Sequence, residues 1–221
     1  MSLKPFKYIG ANKELKPHLK KVIDGEYDFG HINFRSGPIV LDLGANIGSY
    51  TYWILNKYPD AYVIGFEPVP STAAYYVKNL TQVADWSFCL MQAAVYPTED
   101  KTIKFYLSEI NAGMHSTLPL LTNTLRPQEI QVPVCHPRLL PQCDILKMDI
   151  EGAEVPVLKE YLKTHFKPAV VSFEFHCFGD RFELEQILGD EYILTSAWVA
   201  DPNIGTMTFV HRDYIGIKEF V

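Results

Sequence analysis

Residues 38–51 read P-I-V-L-D-L-G-A-N-I-G-S-Y-T. Ile39-Val40-Leu41 is a short apolar run entered from Gly37-Pro38 and left toward glycine, the pattern of a strand buried on both faces of a parallel sheet. Asp42 follows at its carboxyl end. Then come Gly44-Ala45-Asn46-Ile47-Gly48 and a segment with Tyr50, Trp53, Ile54 and Tyr58 at helical spacing. A strand, a glycine turn and a helix start, in that order, predict an α/β unit that brings backbone close to a nucleotide.

The next unit supplies an acid. Ala61 to Phe66 is a second apolar strand candidate, and it ends on Glu67, 25 residues after Asp42. A carboxylate at that place can accept both hydroxyls of a ribose, as it does in dinucleotide sites. The dinucleotide fingerprint, however, uses a middle glycine so that backbone can approach a pyrophosphate, and position 46 is Asn. A ligand with adenine and ribose but no pyrophosphate suits this loop better, and S-adenosylmethionine is the common one. Its sulfonium and ammonium charges also favour Asp42 and Glu67 as neighbours, whereas a phosphate would be repelled. The plain alternative, a turn that only links strand to helix, leaves the position of Glu67 unexplained.

Three segments, D-L-G-A-N-I-G-S-Y-T at 42–51, F-E-P at 66–68 and L-K-M-D-I-E-G-A-E at 146–154, together resemble the FkbM-type methyltransferases, a branch of the class I S-adenosylmethionine-dependent enzymes. The resemblance runs from about Ile39 to His176, and K-M-D-I-E-G-A-E is its most specific piece. It implies an α/β, Rossmann-like class I methyltransferase fold. The expected sheet is seven-stranded and mostly parallel, with its last strand antiparallel, helices on both faces and a small β insertion. It also implies S-adenosylmethionine as cofactor and O-methylation of a hydroxyl on a sugar, glycan or other small metabolite. The cofactor residues expected are Asp42, Gly44, Ala45, Asn46, Gly48, Glu67 and Pro68, with Ala93 and Ala94 passing the adenine edge on the strength of the resemblance. The family has a small, serine-bearing loop near the transferable methyl, which here falls at His115 and Ser116. One departure is Lys159, where the family usually has glycine in the helix after the motif.

Bulk properties bound these expectations. A chain of 221 residues, 48% hydrophobic, suits one folded domain. We read residues 1–38 as an N-terminal cap segment and 39–221 as a single S-adenosylmethionine-binding domain. The net charge of −6 and the absence of a basic run give no support for a nucleic-acid surface. Cys89, Cys135, Cys143 and Cys177 are widely spaced without a C-x-x-C pair and read as buried free thiols in a reducing compartment. No apolar stretch reaches the ~18 residues of a membrane span, so a cytoplasmic protein with no membrane partner is expected.

Elsewhere the pattern predicts a helix carrying Leu15, Leu19, Val22 and Ile23, with Tyr27 and His31 beyond it as pocket candidates. Ser71 is a candidate cap for a helix after Pro70. Ser87 to Tyr96 reads as one strand, and Lys101–Leu107 with Gln128–Val134 as a hairpin-like insertion. Cys143 to Asp149 is the fourth central strand, with Lys147 expected in a partly buried ion pair and Asp149 at the carboxyl end. A helix from Glu154 to about His165 follows. Ala169 to Phe175 then delivers Glu174 and His176 to the same end of the sheet.

Transfer of a methyl group to a hydroxyl requires alignment and a proton acceptor. Asp149 and His176 are the candidate bases, and Glu151 and Glu174 are expected to touch substrate. For His176 the alternatives are a structural histidine fastened to Glu174, or a divalent ion on Asp149, Glu174 and His176; no metal is expected. Two other functions stay open: an NAD(P)-dependent oxidoreductase, and a module that binds S-adenosylmethionine without catalysis.

Overall fold

The computed structural model describes residues 3–13, 15–83, 86–107 and 128–215. Its main sheet has seven strands. Five of them are parallel: β1 (Ile39–Leu43), β2 (Tyr62–Phe66), β3 (Phe88–Met91), β7 (Ile145–Met148) and β8 (Val170–Phe175). β10 (Ile204–His211) runs antiparallel to β8 and to β9 (Tyr192–Asp201), and the spatial order is β3-β2-β1-β7-β8-β10-β9. The order reverses between β1 and β7, which opens a crevice at their carboxyl ends, where ligands bind in open α/β sheets.

Helices α1 (Leu15–Ile23), α2 (Ser49–Lys57), α3 (Pro70–Leu80), α4 (Glu154–Leu162) and α5 (Phe178–Leu188) cover the sheet. Alternation along the strands divides the core. Leu41, Leu43, Leu146, Met148 and Phe173 pack with α4 and α5 on one face, and Val40, Ile145 and Val170 pack with Tyr50 and Ile54 of α2 on the other. Each such side chain contributes about 1.5–3 kcal/mol when buried. The second face also carries the polar members Asp42 and Lys147, which lie opposite one another in the β1–β7 register.

The segment expected as one strand from Ser87 to Tyr96 is broken. Met91 ends β3, and after Gln92 and Ala93 the chain re-enters as β4 (Ala94–Val95), which pairs with β6 (Gln128–Cys135) in a separate three-stranded sheet with β5 (Thr102–Leu107). Ala93 donates its N–H to the Met91 carbonyl across the break. β5 and β6 form the expected antiparallel pair, with Thr102 opposite Pro133 and Leu107 opposite Gln128.

Three further expectations need correction. α3 starts at Pro70 itself with Val69 at the cap position, so Ser71 lies inside the helix and caps nothing. α4 ends at Leu162, and His165 instead stacks on Tyr161 with ring centroids 4.2 Å apart. All four cysteines are free, but only Cys143 is buried; the Cys177 sulfur accepts the Asp180 N–H and so caps α5. Among the described residues, no helix is long and apolar enough to cross a membrane.

Candidate active site

The turn after β1 is built from positive backbone angles: φ is +76° at Gly44, +49° at Asn46 and +94° at Gly48. Asparagine is one of the few residues with a side chain that tolerates this region, and the Asn46 side-chain oxygen accepts the Ile47 N–H at 2.8 Å. The N–H groups of Gly44 and Ala45 donate to the Phe66 carbonyl at 3.0 and 2.9 Å, which ties the turn to the end of β2. Glu67 completes the junction by accepting the N–H of Asn46 at 3.1 Å and of Val69 at 2.9 Å. Burial pushes its carboxyl up to about 7, against the pull of those two N–H groups.

Lys147 is the centre of the second cluster. Its ammonium lies 3.2 Å from Asp42 and 3.5 Å from Asp149, and it donates to the Gly44 carbonyl at 2.8 Å. The side chain is 3% exposed, and Asp42 is fully enclosed. Asp42 also accepts the Thr51 hydroxyl at 2.8 Å. A buried lysine with these partners stays charged: burial alone would lower its pKa, and Asp42 and Asp149 hold it above the ordinary value. Lys147 thus pins the glycine turn to the ends of β1 and β7 and occupies both acids.

The third cluster follows β7. Glu151 is left-handed at φ +57°, Gly152 follows at +98°, and the Glu154 carboxylate holds this turn by accepting the N–H of Ile150 at 2.8 Å and of Gly152 at 2.9 Å. The turn presents Glu151 to His176, whose Nε2 lies 3.0 Å from Glu151 and 3.7 Å from Glu174. His176 Nδ1 is buried without a hydrogen-bond partner among the described residues, so the ring is held from its Nε2 side. Burial drives Glu151 up to about 7 and Glu174 well above the carboxylate range. Burial works against the His176 cation, yet Glu151 outweighs it and raises the imidazole to about 10. Burial also opposes ionisation of Asp149, but Lys147 keeps its carboxyl below the usual value. Tyr27, a buried residue of the N-terminal segment, donates to Asp149 at 3.4 Å.

These clusters border one cavity of about 610 Å³, within the range of small-molecule sites. Of the sequence candidates, it brings together Gly44, Ala45, Asn46, Glu67, Pro68, Ala93, Ala94, Asp149, Glu151, Glu174, His176 and Tyr27. Asp42 and Gly48 lie behind its wall: Asp42 reaches the cavity only through Lys147, and Gly48 packs on Leu80 and Tyr76 as it starts α2. His31 is exposed and stacks on Tyr58, away from the cavity. His115 and Ser116 lie outside the described residues.

Sequence reasoning missed Glu26, which lines the cavity and is pushed to about 7 by burial and then by the Asp149 charge. No local pattern distinguishes that acid. It also missed the clamp made by Glu154, whose signal was present in the E-G-A-E spacing. Phe105 of the insertion and Leu15 and Leu19 of α1 supply apolar wall.

The strand order with one reversed strand, and the crevice at the glycine turn, define the class I methyltransferase fold. The chain belongs to the FkbM methyltransferase family: the model of the Methyltransferase FkbM domain matches residues 42–196. Methyltransferase 1 of Beauveria bassiana (strain ARSEF 2860) is 29% identical over 171 residues, a match spanning 64% of this chain and 65% of that protein. Methyltransferase sdnD of Sordaria araneosa is 24% identical over 218 residues, 83% of this chain and 84% of that protein. Among solved structures, precorrin-6y C5,15-methyltransferase from Geobacter metallireducens GS-15 shares the fold with a TM-score of 0.53 at 11% identity, over 91% of this chain and 93% of that one.

Proposed function

We propose that this protein transfers a methyl group from S-adenosylmethionine to a hydroxyl of a sugar or other small hydroxylated molecule. The observation that carries it is the pair of cavity-lining carboxylates: Glu67, which accepts the Asn46 N–H of the glycine turn, and Asp149, which pairs with Lys147. Lys147 is committed to Asp42, Asp149 and the Gly44 carbonyl. That environment suits a ribose and a sulfonium and repels a diphosphate, which favours the methyl donor over NAD(P). Bound there, S-adenosylmethionine supplies an electrophilic methyl group whose bond to sulfur breaks as the bond to the acceptor oxygen forms.

The protein's own part is binding, alignment and proton removal. Glu67 accepts the ribose hydroxyls, and Ala93 and Ala94 leave room for the adenine. Gly44, Ala45 and Asn46 offer backbone along the donor, and Glu151 and Glu174 accept hydrogen bonds from acceptor hydroxyls. The acceptor's proton goes to Asp149, which is ionised and at the carboxyl end of β7. His176, charged beside Glu151, orients the carboxylates rather than taking the proton.

Competitive calorimetry with S-adenosylhomocysteine and NAD tests the cofactor: the first should bind and the second should not displace it. Asp149→Asn should keep that affinity and lose about 10²–10⁴-fold in turnover on a hydroxylated acceptor. Displacement by NAD, or full turnover in Asp149→Asn, would sink the proposal.

A further inference from the structure

The cavity continues past Glu174 across the face of β10 and β9. Glu174 stands opposite Thr206 in the β8–β10 register, and Thr206 stands opposite Trp198 in the β10–β9 register. Residues directly opposite one another in antiparallel strands share a face of the sheet. All three line the cavity, so they form one strip that leads away from Asp149 and the end of β7, with Ala200 and Ile204 next to it along β9 and β10. The strip crosses two strand spacings, roughly 10 Å.

Polarity falls along it, from a carboxylate through a hydroxyl to an indole. The middle member has no partner. Thr206 is 3% exposed, and its hydroxyl makes no hydrogen bond among the described residues. Two residues further along β10, by contrast, the Thr208 hydroxyl donates to Ser172, its register partner on β8, at 3.0 Å. A buried hydroxyl without a partner costs stability, and a ligand oxygen in the cavity supplies one.

The outer member is an aromatic surface. Trp198 is 42% exposed, and the Lys21 ammonium of α1 lies over its ring, 4.1 Å from the centroid. The indole face is therefore turned toward the cap helix, and its cover there is a long, exposed side chain that can swing aside. Such a face takes another ring by offset stacking.

We propose that Glu174, Thr206 and Trp198 form the acceptor subsite, and that it takes an acceptor of two linked rings, one hydroxylated and one apolar. The hydroxylated ring lies over Glu174 and Thr206, with the oxygen to be methylated toward Asp149. The apolar ring lies on Trp198 in place of the Lys21 ammonium. A single six-membered ring is shorter than the strip and leaves one end of it unused. The naming of this strip as an acceptor subsite rests on the methyl-transfer reading; ring binding on Trp198 does not.

The test is calorimetry on the whole chain saturated with S-adenosylhomocysteine, with phenyl β-D-glucopyranoside as the two-ring probe and methyl β-D-glucopyranoside as the one-ring probe. The phenyl glycoside should bind about fivefold or more tightly than the methyl glycoside. Trp198→Ala should abolish that preference and Trp198→Phe should keep it, with S-adenosylhomocysteine uptake showing that both variants are folded. Thr206→Val should weaken both glycosides about twofold to tenfold without lowering Tm, since it deletes a hydroxyl that has no partner; a purely structural hydroxyl predicts a lower Tm. Failure to bind the phenyl glycoside, equal affinity for the two probes, or a preference unchanged in Trp198→Ala overturns the subsite, and S-adenosylhomocysteine uptake by the same samples leaves the methyl-transfer reading intact. Phenyl glycoside binding that depends on Trp198, in protein that ignores S-adenosylhomocysteine, supports the strip as a ring-binding site and counts against that reading.

Discussion

Gly44 lies directly against the backbone carbonyl of Asp149, so closely that a Cβ at position 44 would overlap that oxygen. The glycine turn and the end of β7 therefore share one contact, and the Lys147 ammonium, bonded to the Gly44 carbonyl, secures it from the side.

Gly44→Ala should disrupt both partners. The substitution adds a clash with backbone to a residue at φ +76°, where a side chain alone costs about 1–3 kcal/mol. Thermal unfolding and calorimetry should show a lower Tm together with weakened S-adenosylhomocysteine binding. An unchanged Tm and affinity would mean that the two segments do not meet as described.

Lys147→Ala should destabilise the fold more than a surface substitution does. It strands Asp42, which is fully enclosed and has, among the described residues, only Thr51 as a remaining side-chain partner, and breaking a buried pair in this way costs about 3–5 kcal/mol. Urea unfolding checks the figure. A loss under ~1 kcal/mol, the level of an exposed ion pair, would show that Asp42 finds another partner or a proton.

Glu154→Ala should leave two backbone N–H groups without their acceptor, at about 1–3 kcal/mol for each that stays dry. The turn then relaxes and Glu151 leaves His176. Turnover should fall while S-adenosylhomocysteine affinity holds, because Glu67 and the glycine turn are untouched. Glu154→Gln keeps one acceptor oxygen and should recover part of the rate, which a merely space-filling role does not predict.

Glu67 gives a pH dependence with a defined sign. Its folded pKa of about 7 lies above the ordinary 4.5, so the ligand-free fold favours the protonated acid. That contribution to stability is present below pH 4.5 and is lost as pH rises through about 7. Ribose binding favours the ionised acid, so S-adenosylhomocysteine affinity should increase between pH 6 and 8. In Glu67→Gln the affinity should be weaker, and the Glu67 share of that pH dependence should vanish; an identical profile in wild type and variant would rule out Glu67 as its source.

The glycine turn, the acid at the end of β2, the parallel order of the central strands and the family were legible in the sequence. Each is encoded within one or two neighbouring units, where apolar runs, glycine positions and strand ends are local properties of the chain. The three-stranded side sheet was legible only in part: alternation marked β5 and β6, but nothing in Ser87–Tyr96 signals that the chain changes sheets after Met91. Ser71 was misread as a cap because Pro70 already starts the helix without an N–H to satisfy.

The sequence by itself determined which residue types arrive at the carboxyl end of the sheet, because strand period and strand end decide that locally. Tertiary structure alone decided what those residues do to one another. Asp42 becomes a buried counter-ion because the β1–β7 register sets Lys147 beside it. Glu151 meets His176 because Glu154 fixes a left-handed turn between β7 and α4. The charge state of each acid depends on distances and burial across segments remote in sequence, and no local pattern encodes those.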